Sequence, residues 1–316
     1  MPLAALYGSI AARRMMRPGA DAGVPVICVG NYHTGGAGKT PTVLALVEML
    51  RALGETPFVL SRGYGGSLPG PLRVDAARHA AAEVGDEPLM MAAHAPVVIA
   101  RDRVAGARLA RGEGAGVIVM DDGFQNPALR KDLSLIVVGA ARGLGNGRVF
   151  PAGPLRAPLA PQLARTDALL VIGEGDAAAD LECALAARGA PVFHARVTPD
   201  AKTVAALVGK RVLAFAGIGD PGRFFDTLRA QGIEVAAERT FPDHYRFTKD
   251  EISALRAAAA CDGLALVTTE KDFARLCGGD LAPLAEGITP LPVALRFDDE
   301  APLRELIVAR LRAATR

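Results

Sequence analysis

Apolar, largely β-branched runs at residues 26–29, 58–60, 97–99, 117–120, 135–138 and 169–172 are each followed by a segment of helix length. A strand that is apolar along its whole length must be buried on both sides, so this alternation predicts a parallel sheet with helices on both faces. In such sheets ligands bind beyond the carboxyl ends of the strands, and chemistry is therefore sought just after each run. Near residues 196–210 the pattern restarts, with further strands predicted at 212–216 and 264–267. The division drawn from this is a first domain over residues 1–199 and a smaller α/β domain over 200–316. A Pro- and Gly-rich stretch over residues 142–161 is too long for an ordinary connection and is expected to be a functional loop.

The strongest local signal follows the first run. After the apolar segment ending at Gly30 come Asn31 to Thr34, and then Gly35-Gly36-Ala37-Gly38-Lys39-Thr40-Pro41. Strand, glycine loop and helix in that order form a phosphate-binding loop. The glycines let backbone N–H groups turn inward around phosphate oxygens, the Lys39 ammonium can reach the β and γ phosphates of a nucleotide, and the Thr40 hydroxyl is placed to ligate Mg²⁺. The following helix presents Val43, Leu46, Val47 and Leu50 to the sheet and its positive dipole end to the anion. Pro41 in the first turn costs no hydrogen bond. The usual spacing puts glycine where this chain has His33, which leaves the turning to Gly35 and Gly36. A second element points the same way, because the run at 117–120 delivers Asp121 and Asp122 at its carboxyl end, as holding Mg²⁺ requires.

Composition narrows the partners. The chain has 316 residues, 50% of them hydrophobic and 22% charged, enough for one large or two modest globular domains. A net charge of only +2, with Lys and Arg scattered, gives no basic stripe for a nucleic acid. Cys28, Cys183, Cys261 and Cys277 form no C-x-x-C pair, which argues for reduced thiols rather than a zinc site or disulfide framework. No apolar stretch reaches the length of a membrane-spanning helix. The first 17 residues or so nevertheless read as an amphipathic helix with a basic end, with Leu3, Leu6, Tyr7 and Ile10 on one stripe followed by Arg13, Arg14 and Arg17. Two explanations fit that pattern: a terminal helix packed on its own domain, or an element lying on a membrane surface. The charge follows the apolar part, the reverse of a secretory signal.

Competing nucleotide motifs are weaker. Thr269-Glu270-Lys271-Asp272 has the wrong order for a guanine reader, and Gly217-Ile218-Gly219-Asp220-Pro221-Gly222, with Glu238 downstream, is a lone G-x-G-x-x-G match interrupted by proline. The latter is expected to be a structural strand-to-helix turn.

Taken together these residues resemble the tetraacyldisaccharide 4'-kinase family over nearly the whole chain. The resemblance rests on Leu6-Tyr7-Gly8, the loop from Gly35 to Pro41, Leu60-Ser61-Arg62-Gly63-Tyr64-Gly65, Gly85-Asp86-Glu87-Pro88 and Asp121-Asp122-Gly123-Phe124-Gln125. It also rests on Gly145-Asn146-Gly147, Pro151-Ala152-Gly153-Pro154-Leu155-Arg156, Asp243-His244 and Thr268-Thr269-Glu270-Lys271-Asp272. It implies a kinase that moves the ATP γ-phosphoryl group to the 4' hydroxyl of a tetraacylated glucosamine disaccharide 1-phosphate, giving lipid IVA. It also implies peripheral attachment at the cytoplasmic face of the inner membrane, with no protein partner indicated. By resemblance Asp86 and His244 are the catalytic pair beside Lys39. Thr34, Gly35, Gly36, Ala37, Gly38, Lys39 and Thr40 hold the nucleotide, and Thr40, Glu87, Asp121, Asp122 and Gln125 surround Mg²⁺. Tyr64, Asn146 and Arg156 are expected at the substrate. Many members carry histidine after that glutamine, where this chain has Asn126. Two other classes remain open at this stage. One is a switch ATPase of the partitioning or metal-insertase type, which usually has lysine where this chain has Thr34; the other is a kinase for a soluble metabolite.

Overall fold

A computed structural model describes residues 2–36 and 38–314. Its thirteen strands are β1 (Val26–Gly30), β2 (Pro57–Ser61), β3 (Leu72–Arg73), β4 (Val97–Ile99), β5 (Val117–Asp121), β6 (Leu133–Gly139), β7 (Ala168–Ile172), β8 (Val192–Pro199), β9 (Arg211–Ala216), β10 (Glu234–Thr240), β11 (Ala265–Thr269), β12 (Ile288–Leu291) and β13 (Val293–Phe297). Nine of them form one sheet in the order β13-β8-β7-β6-β1-β5-β2-β4-β3, and four form a second in the order β10-β9-β11-β12. The large sheet is parallel apart from its two edges, where β3 pairs antiparallel with β4 and β13 with β8. The fold is thus the α/β architecture expected.

The reason is visible in β1. Ile27 and Val29 enter one apolar cluster and Val26 and Cys28 enter the other, so each face of the strand has its own core. Helix Lys39–Ala52 covers the first face with Val43, Leu46, Val47 and Leu50, all essentially inaccessible to water. Truncating a side chain such as Leu50 to alanine costs about 2–5 kcal/mol through lost burial and the cavity left behind.

The chain end departs from the expected boundary. A second domain running to residue 316 would keep the last strand and helix with the small sheet. Instead β13 pairs with β8, and helix Ala301–Ala314 buries Leu303, Ile307 and Leu311 in the cluster under helix Lys39–Ala52. The small sheet therefore occupies an insertion between β8 and β13.

Helix Pro2–Met15 is partly packed on its own domain. It packs through Gly8, where a Cβ would lie 3.2 Å from Pro158 Cγ, and through buried Met15. The stripe of Leu3, Leu6, Tyr7 and Ile10 stays exposed, with the exposed Phe150 ring 5.7 Å from that of Tyr7.

Candidate active site

The glycine loop leaves β1 where Gly30 passes so close to Phe124 that an added Cβ would sit 2.4 Å from its Cβ. Asn31, Tyr32 and His33 are buried, and the segment is zipped to the Pro- and Gly-rich loop: Thr34 N–H donates to the Pro154 carbonyl at 2.9 Å and Arg156 N–H to the Tyr32 carbonyl at 2.9 Å. The Asn31 amide donates to the Gly35 carbonyl at 3.1 Å. Gly38, at φ 82°, caps the helix that begins at Lys39 without contributing any side-chain acceptor. The first-turn amides of that helix are thereby left to an anion, which the helix dipole also favours. His33, standing where glycine is usual, is buried with Nε2 unpartnered. Burial, together with the charges of Arg142, Lys39 and Arg156, holds its pKa below the ordinary histidine value. Ala37, expected among the nucleotide contacts, lies outside the described residues.

Next to the loop, β5 ends in the two aspartates. Asp121 is buried and accepts the Ser61 hydroxyl from the end of β2 at 3.2 Å. Burial, reinforced by Glu87 and Asp122 nearby, pushes its carboxyl up to about 7. Asp122 adopts φ 48°, a left-handed conformation that aspartate tolerates. Burial raises its pKa, but Lys39 at 3.7 Å and Arg156 at 2.7 Å outweigh that and bring it below the usual carboxylate range. Arg103, buried beneath, donates to the Asp121 carbonyl at 3.5 Å.

The third group crosses between the two sheets. Asp86 opens helix Asp86–Ala92 and is buried, and His244 Nδ1 lies 3.0 and 3.3 Å from its two carboxylate oxygens. His244 sits at φ 59° in the segment between β10 and helix Lys249–Cys261. Two cations that the sequence did not single out as site residues join them. Arg275 donates to Asp86 through Nε at 3.0 Å and through Nη2, and Lys271 lies 3.6 Å from Asp86 and 3.3 Å from Glu87. Burial pushes Asp86 up, yet Lys271, Arg275 and His244 together hold it below the ordinary value. The available signal was Lys271 in the Thr-Thr-Glu-Lys-Asp run; Arg275 is simply one helical turn further on. The run itself is a brace: Thr269 caps helix Glu270–Leu276, Asp272 accepts the Gly217 N–H at 2.9 Å, and Arg275 Nη1 donates to the Gly217 carbonyl at 2.8 Å. The Gly217–Gly222 segment is a strand-to-helix turn, with Asp220 capping helix Pro221–Ala230 and Glu238 paired to Arg229.

The remaining expected residues are placed variously. Thr40 follows Lys39 in the first turn, and Thr34, Gly35 and Gly36 are exposed on the loop. The Gln125 amide donates to the Asn31 carbonyl at 2.7 Å and to Gln162 at 2.9 Å, so it supports the loop rather than joining the carboxylates. Asn126 accepts the Ala128 N–H at 2.9 Å. The Asn146 amide donates to the Ala152 carbonyl at 3.0 Å, within its own loop. Arg156 is on Asp122, and Tyr64 is exposed with its ring 5.7 Å from that of His244. Among the described residues no three His, Cys, Asp or Glu side chains converge as a self-sufficient metal cage. Mg²⁺ seldom uses one, being held by one or two carboxylates, water and substrate phosphates.

A parallel α/β sheet, a glycine loop running into a helix that starts with Lys-Thr, and a carboxylate pair on the neighbouring strand define the class of P-loop nucleotide-binding proteins. The particular family follows from comparison. A model of the family described as "Tetraacyldisaccharide-1-P 4'-kinase" matches residues 1–312, and the chain belongs to that family. It is 65% identical to the tetraacyldisaccharide 4'-kinase of Bradyrhizobium diazoefficiens, over 99% of this chain and 92% of that one. It is 63% identical to the Nitrobacter winogradskyi protein of the same name, over 98% and 92%. Among solved structures, LpxK from Aquifex aeolicus in complex with ATP superposes with a TM-score of 0.75 at 29% identity, covering 98% of each chain.

Proposed function

We propose that this chain transfers the γ-phosphoryl group of ATP to the 4' hydroxyl of a tetraacylated glucosamine disaccharide 1-phosphate, giving lipid IVA. The observation that carries the proposal is one of placement. A loop and helix end built for a polyphosphate, starting at Lys39, lie close to a pair of buried Asp86 and exposed His244, since Asp121 beside the loop feels the charge of Glu87 next to Asp86, and that pair has no work to do in nucleotide binding alone.

In the transfer, the acceptor oxygen forms a bond to the γ phosphorus, the bond from that phosphorus to the ADP oxygen breaks, and the hydroxyl proton leaves to a nearby base. Family resemblance casts Asp86 as that base. With Arg275 and Lys271 on its carboxylate, however, Asp86 is weakly basic. We therefore assign the proton to the pair as a unit. Asp86 fixes Nδ1, which leaves Nε2, 3.8 Å from Asp243 Oδ2, as the nitrogen that takes the acceptor's proton. Lys39, the loop amides and Arg156 meet the charge on the phosphoryl oxygens. The donor set of Asp121, Asp122, Glu87 and the Thr40 hydroxyl is all hard oxygen. The rise in the Asp121 pKa, caused by burial and crowded negative charge, marks a place where a divalent cation fits. Mg²⁺ bound there with the nucleotide oxygens would neutralise charge between the phosphates.

A four-chain acceptor stays in a bilayer, so the enzyme must reach it. No helix among the described residues is long and apolar enough to cross a membrane. The exposed stripe of helix Pro2–Met15, extended by Phe150 and followed by Arg13, Arg14 and Arg17, suits peripheral attachment to the anionic cytoplasmic face of the inner membrane.

The test is incubation with γ-labelled ATP and the disaccharide 1-phosphate in detergent. Label is expected in the lipid in proportion to ADP formed. ATP hydrolysis with no label in the lipid refutes the proposal and returns the chain to the switch-ATPase class.

A further inference from the structure

The Pro- and Gly-rich stretch opens with Arg142, in the turn after β6. β6 pairs in parallel with β1, with Gly30 opposite Ile136, and continues past that point to Gly139, so the turn that follows stands beside the glycine loop. The approach is close: a Cβ added to Gly35 would lie 2.8 Å from Arg142 Nη1. Gly35 is at φ 101°, where a side chain is disfavoured in any case, and its bare Cα leaves room for the guanidinium. A Cβ added to the next residue, Gly36, would meet no described atom within 4 Å, so open space for an anion adjoins the arginine.

The turn is braced. Arg142 and Gly143 N–H donate to the Gly139 carbonyl at 3.1 and 2.9 Å, and Ala177 N–H donates to the Ala140 carbonyl at 3.0 Å. Gly143, at φ 54°, packs directly on the Ala177 carbonyl. The charges nearby are unevenly partnered. Lys39 and Arg156 share Asp122, at 3.7 and 2.7 Å, so part of their charge is neutralised. Arg142 is exposed, and among the described residues its guanidinium forms no ion pair; Glu174 and Asp176, in the adjoining turn after β7, are exposed and do not reach it. Its charge nonetheless acts on the loop. The buried His33 ring is disfavoured as a cation by burial first, partly offset by the Thr34 carbonyl, and then by Arg142, Lys39 and Arg156.

Position says what such a cation can meet. Lys39 and Arg156 stand with Asp122 on the β5 side of β1, whereas Arg142 arrives from β6, on the other side. A phosphate tail in the loop is thus flanked by cations from both sides. Switch ATPases of the partitioning type carry a lysine just before the double glycine; this chain has Thr34 there, and a neighbouring strand brings a guanidinium to the next position. As the γ-phosphoryl group moves, its bond to the ADP oxygen breaks and its bond to the acceptor oxygen forms, with charge spread over the equatorial and leaving oxygens. A planar fork can donate to two of those oxygens at once.

We propose that Arg142 is an arginine finger supplied in cis, which donates to the γ-phosphoryl and leaving oxygens and stabilises the charge that develops during transfer. It forms no covalent bond and moves no proton. This rests on the kinase assignment above and adds a residue to its chemistry.

The experiment compares wild type with Arg142→Gln, Arg142→Lys and Arg142→Ala in neutral detergent containing Mg²⁺. It measures transfer to the disaccharide 1-phosphate, the melting temperature, and affinity for ADP with and without aluminium fluoride, which mimics the phosphoryl group in flight. The glutamine variant should lose roughly a thousandfold in kcat, while its KM for ATP and its melting temperature stay close to wild type. Its affinity for ADP alone should hold and the gain from aluminium fluoride should largely vanish. The lysine variant should keep part of the rate, and added guanidinium ion should restore part of it to the alanine variant. A wild-type kcat in the glutamine variant overturns the finger. So does a raised KM for ATP with kcat kept, which makes Arg142 a ground-state anchor, or an equal loss with and without aluminium fluoride, which makes it a brace for the loop. A wild type that labels no lipid refutes the kinase assignment, and the aluminium fluoride comparison then still decides whether Arg142 meets the phosphoryl group.

Discussion

Replacing Leu3, Leu6 and Ile10 with serine should detach the protein from membranes while leaving its fold intact. The three side chains are 70%, 61% and 60% exposed, so little of their apolar surface is engaged in the free protein. Fully burying such a side chain is worth about 1.5–3 kcal/mol, and scaling by the exposed fraction leaves roughly 3–6 kcal/mol for the three together. At about 1.4 kcal/mol per decade, the partition coefficient onto vesicles should fall by roughly two to four orders of magnitude. Folding stability should move little, as expected for exposed positions. Arg13, Arg14 and Arg17 add about 1 kcal/mol each near anionic lipid, an attraction that salt screens. Co-sedimentation with vesicles containing anionic phospholipid, at low and high salt, measures both contributions. Unchanged binding by the triple variant, or a large drop in its melting temperature, refutes the assignment of this stripe to the membrane.

Asp121→Asn should stabilise the protein in EDTA above neutral pH. A carboxyl raised in the folded state to about 7 from 3.8 favours folding below the lower value and loses that contribution as pH rises to the upper one. The variant's advantage should therefore grow between about pH 4 and 7 to at most about 4 kcal/mol; a difference that does not vary with pH contradicts this. Gly30→Ala forces a Cβ to within 2.4 Å of Phe124 Cβ, an overpacking expected to cost about 1–3 kcal/mol and visible as a lower melting temperature; an unchanged melt would mean the strand end yields freely. Lys39→Ala should lower kcat by roughly a hundredfold or more with an unaltered melt, since its ammonium contributes charge to the groove and nothing to the core. Near-normal turnover of the purified variant removes Lys39 from the mechanism.

Much of this protein could be read in advance wherever the information is local. Strands β1, β5, β6 and β7 were legible because a central parallel strand is buried on both faces and must be apolar throughout. The glycine loop was legible because strand, turn and helix start are contiguous, and Asp121 and Asp122 because they end such a strand. Strands β8, β10 and β13 were not, since they lie at or near sheet edges, where half-exposed positions such as Arg196, Glu238 and Val293 break the apolar run.

The site divides in the same way. The amino-acid order alone determined the α/β class, the phosphate loop and the apolar stripe of the first helix, each of which is a pattern of neighbours along the chain. Only the tertiary structure decided that the last strand and helix return to the large sheet, and that Asp86 meets His244, Lys271 and Arg275 from more than 150 residues away. It also decided that the Arg142 guanidinium lies over Gly35. Contacts across sheets depend on which strands pair and at what register, and that choice is made by the burial of the whole core rather than by any short run of residues.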